Sequence, residues 1–244
     1  MKNLCRLCLS YNIINMDSSE LRLKQAYEHR KQIPKNRYSV FNNANLYMAQ
    51  KRECRLVSLL NKTGRTDLKN YKIADIGCGT GSQLLDFLRY GAVSENLYGI
   101  DLLEERISRA KNVLPNSDIR LGNATELPWR DNEFDIAIQS TVFTSILEAD
   151  IRRKVASEIL RVLKSGGILL WYDFHFNNPS NPDVKAVNSH EIQALFPNCH
   201  VHLEKTTLAP PLTRAIAPIS TICCELLEKL RFLNTHYLGY IQKP

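Results

Sequence analysis

No apolar run in the 244 residues approaches the roughly 18 that a membrane-crossing helix needs, so no spanning segment is expected. The seven cysteines follow no framework spacing and no secretory signal precedes them, which points to a reducing cytoplasm rather than a disulfide scaffold. Cys5 and Cys8 form a C-x-x-C, but no second pair or nearby His completes a zinc site, and no metal is expected. Internal repeats and low-complexity tracts are also missing. What remains is an ordinary folded chain.

Its 44% apolar and 23% charged residues suit one sizeable α/β core with terminal additions. Lys and Arg exceed Asp and Glu by a net +7, yet they are spread along the chain, with RRK (152–154) and EHRKQIPKNR (28–37) the densest places. Such a spread describes a solvated basic face, and nucleic acid is not the expected partner.

The first part of the chain patterns as helix. Asp17 with Glu20 resembles a capping box, and Leu23 and Tyr27 share a face on a helix that ends before Pro34. A second helix is expected from about Asn43 to Leu60, stopping at Gly64. From Lys72 the period changes. KIADIG, LYGID (97–101), DIRLG (118–122), FDIAIQS (134–140) and GILLWYDF (167–174) read as strands separated by helical segments. The helix over 149–164 sets Ile151, Val155, Ile159 and Val162 on one face, with Arg152, Arg153, Glu158 and Arg161 largely off it, and Gly166 and Gly167 stop it. Then follow the helix HEIQALFP, the strand HVHLEKTTL (200–208) and a proline-marked segment over 210–218. An amphipathic helix comes next, with Ile219, Ile222, Cys223, Leu226 and Leu230 on one face, before a last strand HYLGYIQK. This alternation builds a parallel sheet covered on both sides. The expected organisation is a leader and helical cap over 1–66 and a sheet domain over 67–244. A cap insert at about 209–233 can close a pocket or dimerise.

In KIADIGCGTGSQLLDF (72–87), Gly77, Gly79 and Gly81 stand at every second position behind Asp75. A dinucleotide fingerprint spaces its glycines G-x-G-x-x-G, and here Ser82 occupies the third place. Asp75 would repel a pyrophosphate and suits a cationic or amine-bearing ligand. The stretch ADIGCGTG resembles motif I of the class I S-adenosylmethionine-dependent methyltransferases. Asp101 at the end of the second strand, the segment GNATELPWRDNEFDIAI and the segment ILRVLKSGGILLWYDF agree with that family in the same order, with Ser165 replacing its usual proline. The ordering of N-terminal and C-terminal parts resembles members from bacterial polysaccharide or secondary-metabolite clusters.

The resemblance implies a Rossmann-like α/β sheet of seven strands, mostly parallel with an antiparallel last strand, beneath an N-terminal helical cap. It implies S-adenosyl-L-methionine as cofactor and S-adenosyl-L-homocysteine as product. The loop of Gly77, Cys78, Gly79 and Gly81 would bring backbone to the cofactor, with Cys78 a small filler. Asp75 would hold its amino-acid end and Asp101 its ribose hydroxyls. Leu102, Asn123 and Ala124 would lie near adenine, and Arg52 would meet the methionine carboxylate. Gln139 is assigned beside the cofactor, and with Ser140 and Thr141 should face the acceptor.

Acceptor signatures known in the family are mostly missing. QSTVFT stands where enzymes methylating base amines carry Asn or Asp before Pro-Pro-aromatic, no Pro-Cys pair offers a cytosine nucleophile, and no catechol-type ligand set is present. The expected activity is a metal-free methyl transfer to an O or N of a small molecule, a sugar or glycan included. The alternatives are an RNA methyltransferase and a non-catalytic S-adenosylmethionine-binding sensor or scaffold. By alternation Trp171, Asp173 and His175 project one way and Tyr172 and Phe174 the other. His175 and Asp173 are the expected base candidates, with Tyr27, His29 and Tyr38 expected near the acceptor. A monomer and a homodimer are both compatible with the sequence.

Overall fold

The computed structural model describes residues 18–30, 32, 34–177 and 181–244, the side chains of 18, 19, 30 and 35 excepted. Cys5, Cys8 and the cap expected at Asp17 lie outside them. By internal contacts the chain divides into a unit of residues 1–34 and a unit of residues 35–244. The first contains helix α1 (Ser18–Arg30), which carries Tyr27 and His29.

The second unit opens with a short turn over Lys35–Tyr38 and helix α2 (Asn43–Lys62), capped by Asn42, whose side chain accepts from the backbone N–H of Ala44 and Asn45. Strand and helix then alternate: β1 (Ile73–Ile76), α3 (Ser82–Arg89), β2 (Leu97–Asp101), α4 (Glu104–Val113), β3 (Asp118–Leu121), β4 (Phe134–Ser140), α5 (Ala149–Val162) and β5 (Leu163–Phe174). The chain closes with α6 (Ser189–Leu195), β6 (His200–Leu208), α7 (Pro210–Ile216), α8 (Thr221–Glu228) and β7 (Asn234–Gln242). The seven strands lie in the order β3-β2-β1-β4-β5-β7-β6. All neighbours are parallel except β7, which runs antiparallel to both β5 and β6. This is the expected seven-stranded sheet.

β1 is buried at every position, as a central strand covered on both faces requires. One apolar layer joins Trp171, Phe143 and Phe196 with α5, and the other joins Phe87, Leu84 and Ile107 with the opposite face of the sheet. Burial of this kind is the main favourable term, at roughly 25 cal/mol per Å² of apolar surface.

Three local expectations change. Helix α5 ends at Val162 rather than at the glycines, and Gly166, at φ +74°, instead bends the start of β5, where the pairing with β4 shifts register. Arg152, expected off the apolar face, is buried. Its guanidinium donates to the carbonyls of Ile146 and Lys185 and pairs with Glu191 at 2.6 Å, so an interior cation is fully answered. The face shared by Ile219, Ile222, Leu226 and Leu230 is the outward one, with Ile219 87% exposed, while Cys224 and Glu228 are buried. Glu228 explains that rotation. Its carboxylate accepts from Tyr47 Oη on α2 and from the Thr207 N–H on β6, and pairs with Arg55, so α8 is turned by a polar anchor. Among the described residues no helix is long and apolar enough to cross a membrane.

Candidate functional site

The loop between β1 and α3 is left-handed at all three glycines, with φ of +75° at Gly77, +56° at Gly79 and +82° at Gly81. A Cβ on Gly77 would lie 2.6 Å from Val142 Cγ2, and one on Gly81 2.8 Å from Leu114 Cδ1, so both positions lack room as well as conformational freedom for any other residue. The N–H groups of Gly77 and Cys78 both donate to the Ile100 carbonyl, which ties the loop to β2. Asp101, at the end of β2, accepts from Gly79 N and Leu103 N, each at 2.9 Å. Its carboxylate thus shapes the loop and keeps lone pairs for a ligand hydroxyl.

Asp75 is buried one residue before β1 ends. Burial first, then the nearby Asp101 carboxylate, push its pKa up to about 7, and Arg52 opposes them. Among the described residues it makes no hydrogen bond. Gln139, fully buried on β4, accepts weakly from Val142 N at 3.3 Å, and its Nε2 is buried without an acceptor. An unanswered carboxylate beside the glycine loop matches a ligand that carries an ammonium, as the amino-acid end of the implied cofactor does, while the unanswered Gln139 amide lies on the next strand, paired with Ile76. Leu102 is half-buried beside Asp101, Asn123 accepts from Thr125 N, and Ala124 packs on the core. Cys78 is buried, and burial pushes its thiol pKa up, so it is a filler and no thiolate.

A second feature lies where α2 crosses the β6–β7 hairpin: a cavity of about 240 Å³ lined by Arg52, Tyr172, Phe174, Thr207, Arg214 and His236, among others. Arg52 sits over the Tyr172 ring, 5.2 Å from its centroid, and its charge is felt by Asp75 and by His236. It therefore joins the loop to the cavity. Tyr172 stacks on His236 with centroids 4.8 Å apart and planes 8° off parallel, and its hydroxyl is 3.0 Å from Thr207 Oγ1. Thr207 holds φ +63°, a strained value for a β-branched residue. Burial, then the charges of His175 and Arg52, push the His236 pKa down to about 3, leaving the ring neutral.

The expected base candidates fall differently. Asp173 does point opposite to Tyr172, but that side is the core: its carboxylate is wholly buried and accepts from Thr144 Oγ1, Thr144 N and Phe174 N. Burial raises its pKa to about 6, and it braces the segment after β4 instead of lining the cavity. His175 packs on Tyr237 with centroids 4.5 Å apart, and burial, then Lys205, push its pKa down. Gln139, Ser140 and Thr141 do not line the cavity either. Tyr38, expected near the acceptor, does line it. Tyr27 and His29 lie on α1 in the other unit. The sequence reading missed His236 and Thr207, whose only signal was membership of two strands that pair in antiparallel register, Thr206 opposite His236.

A family model described as a methyltransferase domain matches residues 74–171, from β1 to β5. A 2-phytyl-1,4-naphtoquinone methyltransferase from Nostoc punctiforme is 30% identical over 187 residues, 72% of this chain and 76% of that protein. The ubiquinone/menaquinone biosynthesis C-methyltransferase UbiE of Campylobacter jejuni is 34% identical over 110 residues, 43% of this chain and 46% of that protein, so the chain spans about half the length of that relative. A solved geranyl diphosphate C-methyltransferase from Streptomyces coelicolor, holding Mg2+, geranyl diphosphate and S-adenosyl-L-homocysteine, has a TM-score of 0.59 at 15% identity. It covers 78% of this chain and 77% of its own, a likeness of fold. With the sheet order and glycine loop described above, these matches define the class: the chain belongs to the class I S-adenosylmethionine-dependent methyltransferases.

Proposed function

We propose that this chain transfers the methyl group of S-adenosylmethionine to an oxygen or nitrogen of a small molecule seated in the cavity between α2 and the β6–β7 hairpin. The observation that carries this is Arg52, whose charge reaches both Asp75 at the glycine loop and His236 in the cavity wall, so donor and acceptor spaces share one side chain. S-adenosylmethionine, when bound, supplies a methyl on a sulfonium, whose C–S bonding pair leaves on sulfur as the acceptor's lone pair takes the carbon. The chain's task is alignment and exclusion of water, which can supply roughly 7 to 11 kcal/mol. Asp75 would accept from the ammonium, Asp101 from the ribose hydroxyls, and the glycine loop would lie against both; Leu102, Asn123 and Ala124 would flank the adenine.

Among the described residues no carboxylate lines the cavity, and the histidine that does, His236, is a weak base with a pKa of about 3. That supports an acceptor whose nucleophilic atom needs no strong base. A second reading is favoured by the similar Campylobacter jejuni protein, which is a C-methyltransferase. A carbon acceptor must lose a proton, and these cavity walls supply little to take it.

A thermal melt with S-adenosyl-L-homocysteine beside NAD tests the donor. At about 100 times its dissociation constant a ligand adds roughly 2.7 kcal/mol, or about 5 to 11 °C for a chain of this size. A shift with NAD and none with the homocysteine compound would sink the reading. Labelled methyl from S-adenosylmethionine in cell extract, followed by NMR of the product, then separates O or N from C attachment. A shift without turnover favours a sensor.

A further inference from the structure

The cavity carries two cationic side chains in its wall. Arg52 and Arg214 both line it, and Arg37, on the turn before α2, is close enough to Arg214 for the two charges to repel. Among the described residues no carboxylate lies within ion-pair distance of Arg37, Arg52 or Arg214. One turn of α2 further on the contrast is plain, because Arg55 pairs with Glu228 at 3.3 Å and with Glu204 at 4.0 Å. Burial and then Arg37 both push the Arg214 pKa down, which marks a cation held without its counter-charge.

The walls between these cations are flat. Tyr172 and His236 lie stacked, Phe174 meets the His236 ring with centroids 3.9 Å apart, and Tyr38 adds a fourth aromatic face. A cavity near 150 Å³ accepts benzene. The 240 Å³ here suits a substituted ring or two fused rings.

We propose that the methyl acceptor is an aromatic acid, its ring between the aromatic walls and its carboxylate or phosphate held by Arg214 with Arg37, leaving Arg52 for the methionine carboxylate of the cofactor. A guanidinium fork matches either oxyanion with two parallel hydrogen bonds. This rests on the methyl-transfer reading above, and it adds the charge and shape of the substrate.

The test titrates protein saturated with S-adenosyl-L-homocysteine by calorimetry. The probes are 4-hydroxybenzoate, 1-hydroxy-2-naphthoate and phenyl phosphate, each beside a neutral partner: 4-hydroxybenzamide, 1-naphthol and phenol. At least one acid should bind about tenfold or more tighter than its partner, and the arm that binds tells carboxylate from phosphate. Arg214→Gln should weaken that acid about 10- to 100-fold, with Arg214→Lys recovering part of the loss and the homocysteine compound bound as before. Arg37→Gln, on a surface turn, should weaken it in the same direction and guards against a misfolded Arg214 variant. Neutral partners binding as well as the acids, no acid binding at all, or Arg214→Gln binding the acid unchanged would each overturn the proposal. If the homocysteine compound fails to bind, the donor reading falls by itself, and the same acids titrated alone still decide the anion site.

Discussion

Around Gly77 to Gly81 the groups proposed to meet the cofactor are backbone and two carboxylates contributed by neighbouring strand ends, whereas the cavity around Tyr172 and His236 is lined by rings and guanidinium groups from α2, β5, α7 and β7, with Thr207 from β6. The first region owes its shape to left-handed φ values that only glycine takes easily. The second owes it to packing between elements far apart in sequence, pinned by Glu228 to α2 and β6. A backbone-built site resists substitution, and a site built of side chains tolerates it.

The sharpest way to break the contrast is Gly77→Ala. A methyl at φ +75°, 2.6 Å from Val142 Cγ2, combines about 1 to 2 kcal/mol of left-handed strain with about 1 to 3 kcal/mol of overpacking. Binding of S-adenosyl-L-homocysteine, followed by calorimetry, should fall by about 100-fold or more, and near-native affinity would show that the loop gives way. Next comes Asp101→Ala, which removes the acceptor for Gly79 N and Leu103 N. The expected loss is about 1 to 3 kcal/mol of cofactor affinity, with binding of aromatic acids to the cavity changed little.

Asp173→Asn separates bracing from chemistry. The carboxamide still accepts one or two of the three bonds from Thr144 and Phe174, so denaturant unfolding should show a loss of about 1 to 2 kcal/mol, while cofactor affinity stays within about twofold. A normal fold with abolished turnover would instead restore Asp173 to the chemistry. The smallest effect is a pH dependence. Asp75 titrates near pH 7 when free, and a bound ammonium favours its ionised form, so its pKa falls on binding and affinity rises with pH until about 7, then levels. From pH 6 to 7.5 affinity should tighten about eightfold, and Asp75→Asn should flatten the profile.

The glycine loop proposed to hold the donor was legible in the sequence because its determinants are local: three glycines, Asp75 before them, and Asp101 closing the next strand. The first five strands along the chain were readable for the same reason, each being a short run bounded by breakers. The cavity proposed for the acceptor was not. Period two correctly split Trp171 and Asp173 from Tyr172 and Phe174, but a sheet covered on both faces gives no sign of which cover leaves a gap. That depends on where α2 meets the β6–β7 hairpin. The outward turn of Ile222 and Leu226 was hidden likewise, since apolar spacing marks a face and the buried Glu228 anchor, which overrides it, has no local signature.

The alternation along β5 also divides what a lineage can change. Trp171 and Asp173 serve the interior and Tyr172 and Phe174 the cavity, on one strand, in consecutive positions. A single codon at 174 can therefore redraw the wall of the proposed acceptor cavity while Trp171 and Asp173, which hold the strand in place, are inherited untouched. New substrate preference can be tried one substitution at a time, without first rebuilding the fold beneath it.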